Sequence, residues 1–149
     1  MMNPLFGIRL RWYDDTSLNE DDKRKLSELF LKTLGVTSEV AVDIFEALLT
    51  ARADNRAITV REIKQAVVEN RKQRGCPLSG LTERNIQIRM KFFRDIGLIK
   101  YVEKMGDRYI FPGNKKPSEV FEEYTKPQVA SSLNYIKRVL EKTEDAYGV

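Results

Sequence analysis

The stretch LTERNIQIRMKFFRDIGLIKYVEKMGDRYIF, residues 81–111, reads as one helix followed by one hairpin. Thr82 is placed to cap a helix in which Ile86, Met90 and Phe93 recur at spacings of four and three, the period of a buried helical face. Gly97 supplies the stop, since a residue free to adopt positive φ is what a helix end needs. Leu98 to Val102 and Arg108 to Phe111 are then rich in β-branched and aromatic residues. Lys104-Met105-Gly106-Asp107 lies between them as a tip, and Pro112-Gly113 closes the unit.

Upstream, Thr59 and Glu62 form a capping-box pattern, and Ile63, Ala66 and Val67 give a short apolar stripe. The polar run Glu69 to Arg74 follows and is expected to be exposed, and Cys76-Pro77-Leu78-Ser79-Gly80 has the residues of a turn. Thr37 or Ser38 opens a core helix carrying Val40, Ala41, Ile44, Phe45 and Leu48 and ending near Asn55. Ser17 with Glu20 predicts the start of an earlier helix whose Leu26, Leu29, Phe30 and Leu34 share a face before Gly35. Ile8, Leu10 and Trp12 alternate with Arg9, Arg11 and Tyr13, which predicts a short strand.

Downstream, a helix is expected from Ser118 to Tyr124. After Thr125-Lys126-Pro127-Gln128 a longer one runs to about Tyr147. In the second, Val129, Leu133, Ile136, Leu140, Thr143 and Tyr147 are spaced four, three, four, three, four, the seam of helices packed side by side. So short a seam does not hold an isolated pair, so it is expected to pack together with the first helix, Leu26 to Leu34, either across a homodimer interface or back on its own core.

A chain of 149 residues suits a single core. No apolar run approaches the roughly 20 residues that cross a bilayer, and the first residues lack the pattern of a secretory signal, so the expectation is a cytoplasmic protein with no membrane partner. With Cys76 the single cysteine and no histidine, the Cys/His zinc sets cannot be assembled and the commonest general base is missing. Neither a GxxxxGK[ST] loop nor GxGxxG is present. These features predict a protein that is not an enzyme and uses no cofactor or metal. Charge is uneven: residues 1–58 carry a net −2, residues 59–108 a net +6 and residues 109–149 a net of zero. A polyanion-binding surface requires such a local excess.

The order helix, helix, turn, basic helix, glycine, hairpin resembles the winged helix-turn-helix superfamily, and Arg94-Asp95-Ile96-Gly97-Leu98-Ile99 resembles the end of its recognition helix. The resemblance covers about residues 37–112. Gly75-Cys76-Pro77-Leu78-Ser79 with Arg84-Asn85-Ile86 is also similar to the winged-helix segment of archaeal origin-recognition initiators, whose ATPase module has no counterpart in this sequence. The fold class this implies is mainly α with a small β-hairpin: an N-terminal extension (1–36), a winged-helix domain (37–113) and C-terminal helices (114–149).

The resemblance implies an archaeal-type transcriptional regulator that binds double-stranded DNA as a homodimer, with residues 82–97 in the major groove and the wing, 100–111, on the backbone or minor groove. Helical geometry then selects Arg84, Gln87, Ile88 and Lys91 as base contacts. Arginine suits guanine, glutamine suits adenine, and an aliphatic suits the thymine methyl, although Ile88 could instead be buried against a neighbour. Arg71, Lys72, Arg74, Thr82, Lys104 and Arg108 are the expected backbone contacts. Asp95 would repel phosphate, so only the first turns should enter the groove. A replication or plasmid-maintenance DNA binder fits the same surface, and a protein-interaction module is the alternative of a different class.

Overall fold

The computed structural model describes residues 8–103, 108–111 and 115–149. It is mainly helical with one small antiparallel sheet. Helices α1 (Lys23–Thr33), α2 (Glu39–Ala53), α3 (Val60–Gln73) and α4 (Glu83–Asp95) are followed by strands β1 (Lys100–Val102) and β2 (Arg108–Ile110). The chain ends in α5 (Pro117–Val120), a π-helical turn at Phe121–Thr125, and α6 (Lys126–Tyr147).

Side-chain caps start the four core helices. Asp22 accepts from the amides of Arg24 and Lys25, Ser38 from Ala41, and Thr82 from Asn85. Thr59 and Glu62 form the expected reciprocal capping box. Helix α2 is the centre of the body, packed against α1, α3 and α4. Its Phe45 ring stacks between Phe30 of α1 at 4.8 Å and Phe93 of α4 at 5.8 Å. From α4, Ile86, Met90 and Phe93 are completely buried, as the spacing predicts. The hairpin pairs Lys100 with Ile110, Tyr101 with Tyr109 and Val102 with Arg108. Ile58, between α2 and α3, adds an antiparallel bridge to Tyr109, with bonds of 3.1 and 2.8 Å between the two backbones.

Several expectations are corrected. Residues 8–13 form no strand: no strand lies beside them, and the segment instead hydrogen-bonds the end of α1, Arg9 to Leu34 and Arg11 to Thr33, leaving Trp12 87% exposed. Ser17 does not begin α1. Its hydroxyl closes a 3-10 turn at Asp15–Asn19 by donating to the Asp14 carbonyl, and the helix is capped five residues later, at Asp22. Of the face expected on α1, Phe30 packs on the core and Leu34 is buried, but Leu26 is exposed and the fully packed positions within the helix are Ser27 and Leu31. The two C-terminal helices are one continuous helix, since the extra residue of the π turn carries the chain through Thr125 and Pro127 follows at a first-turn position.

Gly97 serves two ends at once. Its φ of +81° lets α4 stop, and a Cβ there would stand 3.3 Å from both Tyr124 and Gln128. The base of the C-terminal helix therefore lies directly against the glycine, and Thr125 donates its hydroxyl to the Ile96 carbonyl at 2.6 Å. Beyond its half-buried first residue, Val129, the seam does not pack on its own core or on α1: Leu133, Ile136, Leu140 and Tyr147 are all exposed, and no residue of α6 is fully buried.

Candidate nucleic-acid interface

Because Ile86, Met90 and Phe93 anchor one side of α4, the opposite side must face solvent. Arg84, Gln87, Ile88 and Lys91 all lie exposed there, and the structure brings these four base-contact candidates onto one face. Ile88 is 60% exposed, so none of the described residues covers it. Lys91 pairs with Asp95 at 2.8 Å, which neutralises the carboxylate that would repel phosphate near the end of the helix. At the start, the Thr82 hydroxyl accepts from the Asn85 amide at 3.1 Å while the Asn85 side chain donates to Gly80 at 2.7 Å. The first turn of α4 is thus held to the preceding turn.

The sequence did not single out the groove beside this face. Gln87, Arg94, Arg61, Glu83, Tyr101 and Tyr109 line a space of about 680 Å³ between α4, the start of α3 and the hairpin. The Arg94 guanidinium sits 5.8 Å from the Tyr101 ring centre, and Arg61 reaches Glu83 at 3.7 Å. One signal for Arg94 was present: it follows Gln87 by seven residues, two helical turns. Arg61 and Tyr101 join only through the tertiary arrangement.

Two of the expected phosphate contacts have other work. Asp43 on α2, its side chain wholly buried, accepts from Arg71 Nε at 2.8 Å, from Arg74 Nη2 at 2.9 Å and from Arg24 Nη1 at 2.7 Å. Arg71 is itself buried and also donates to the Pro77 carbonyl at 3.0 Å, fixing the turn before α4. Arg74 spends its Nε on Asn70 at 2.7 Å. Burial disfavours a charged Arg24, but its bonds to Asp43 and Glu46 outweigh this and hold its pKa above the ordinary arginine value. The expectation that the end of α3 is a wholly exposed basic run is therefore corrected at Arg71, which is buried, while Arg74 stays exposed as it bonds Asp43. Lys72 remains exposed.

At the hairpin, Arg108 turns inward. It donates to Glu62 at 2.9 Å and to the Ala57 carbonyl at 3.2 Å, tying β2 to the start of α3. Burial pushes the Glu62 pKa up, yet hydrogen bonds from the Thr59 amide and hydroxyl, with Arg108 and Arg56 nearby, bring it below the ordinary glutamate value. Lys104, expected at the tip, lies outside the described residues. Among the described residues no cluster of His, Cys, Asp and Glu could hold a metal ion, and no helix is long and apolar enough to cross a membrane. The chain matches no family model, no curated protein and no solved structure.

Proposed function

We propose that this chain is a winged-helix protein that binds double-stranded DNA sequence-specifically, acts as a homodimer and regulates transcription by occupancy. The observation that carries the reading is the outer face of α4, where Arg84, Gln87, Ile88 and Lys91 project from a helix locked to the core by its other side. These residue types match base edges in the major groove. The element order supports the winged-helix reading, and the bridge from Ile58 to Tyr109 ties the segment between α2 and α3 to the hairpin. Arg94 over Tyr101 sets a cation where the hairpin meets the groove. Arg71 leaves the set of phosphate contacts, Lys72 and the exposed Arg74 stay in it, and Arg61 and Arg94 join it.

The protein-interaction alternative has one observation in its favour, the exposed aliphatic Ile88 in the middle of the face. A salt titration separates the two. Duplex affinity should fall steeply, with a log–log slope of several units between about 50 and 200 mM salt. Selection from random duplexes should return a defined motif that Arg84→Ala with Gln87→Ala relaxes, each lost base contact costing about 1–3 kcal/mol. Absence of duplex binding at low salt would overturn the DNA reading, and an unchanged motif would overturn the choice of reading face.

A further inference from the structure

Two apolar features of this chain have no partner among the described residues, and they lie in line. The first is the stripe on α6: from Leu133 onward every residue is exposed, and Leu133, Ile136 and Leu140 are each more than half exposed. This free portion, residues 133–147, extends about 22 Å beyond the body. The second is a groove of about 640 Å³ at the helix base, lined by Leu10, Phe30, Leu34, Phe45, Leu98 and Phe121.

The π turn aligns them. In an uninterrupted α-helix Phe121 would point about 80° away from Val129, the centre of the seam. At roughly 4.4 residues per turn through Phe121–Thr125, it comes to within about 10° of it. The side facing the chain's own body is different. Thr125, Gln128 and Ser132 lie about 40° to 100° to one flank of the seam and are buried or half-buried, as is Val129 at the base of the seam itself. Stripe and groove thus form one apolar track running from the helix base to its free end.

We propose that two copies of this chain join through an antiparallel pair of α6 helices, each seating its C-terminal Tyr147 at the apolar groove of the other. The antiparallel arrangement gives both unpartnered features a partner in one closed, two-fold interface. A parallel pair puts both grooves at the same end and leaves no helix end to fill either. Charge selects the register. With Leu140 opposite the second copy's Val129, and Ile136 opposite its Leu133, Tyr147 reaches the level of the groove, Lys137 meets Ala130, and Lys126, which pairs with Glu122 of its own chain, lies beside Glu144. One heptad outward, Lys137 would stand beside the second copy's Lys137.

This deepens the homodimer proposed above and does not depend on DNA binding. Cys76 is the single cysteine, so a Cys76→Ser background allows directed cross-linking of the full chain. Under mild oxidation, chains carrying Val129→Cys mixed with chains carrying Leu140→Cys should form a disulfide-linked pair, while neither alone should link. Tyr147→Ala should weaken self-association on the order of tenfold in sedimentation equilibrium. Linking by Leu140→Cys alone would establish a parallel pair and overturn the inference, as would a dimer in which the mixed chains do not link. A wild-type chain that sediments only as the 17.3 kDa monomer at micromolar concentration would overturn both this inference and the dimer, without touching the DNA reading.

Discussion

Asp43 is the buried polar hub of the body. One carboxylate receives three arginines from α1 and α3, and through Arg71 it holds the turn that aims α4. Removing one partner from such a cluster is costly because the remaining buried charge keeps its desolvation penalty. Asp43→Asn should therefore lower unfolding stability by about 3–5 kcal/mol in urea titration. Lys72→Ala should leave stability nearly unchanged and weaken duplex binding across all sequences. The cluster was hidden in the sequence by separation: Asp43 and Arg71 lie 28 positions apart, and a run such as Arg71-Lys72-Gln73-Arg74 has the same residue types whether it faces solvent or a buried carboxylate. By contrast Arg84, Gln87 and Ile88 were legible, because helical period alone sets them opposite Ile86, Met90 and Phe93.

The hairpin is a short element, three residues a side, and two such strands need an outside anchor to persist. Tyr109 anchors one side through Ile58, and Arg108 the other through Glu62. Since Glu62 has a lowered pKa when folded, its contribution is present at pH values above the ordinary glutamate range and is lost as pH falls through its folded value. Thermal unfolding followed from pH 7 downward should show that loss below about pH 4.3. Glu62→Gln should flatten that part of the profile. If the variant retains the wild-type slope, the tether is not what the acid releases. The capping box at Thr59 was readable because it is local, whereas the arginine that completes it arrives from 46 positions away. The absent strand at residues 8–13 teaches the converse: alternation describes a strand only when another backbone is there to pair with it.

At the scale of the whole molecule, the body is closed around α2 and α6 is left largely outside it. Leu133→Asp with Leu140→Asp should therefore give a monomer by light scattering whose thermal midpoint, measured at high dilution, matches wild type, since both side chains touch solvent in the single chain. If the midpoint instead falls at every concentration, α6 supports the body in a way its exposure does not show. The heptad spacing of α6, the caps of α2, α3 and α4, the buried triad of α4 and the existence of the hairpin were all determined by sequence. Each follows from side-chain period and capping chemistry within a few turns of chain. Tertiary structure alone decided which cations are spent inside, how Arg61 and Tyr101 join the groove beside α4, and that the seam of α6 from Leu133 onward is left exposed. Those outcomes depend on which distant residues a packed core brings together, and a buried carboxylate or a neighbouring helix leaves no local trace in the residues that will meet it.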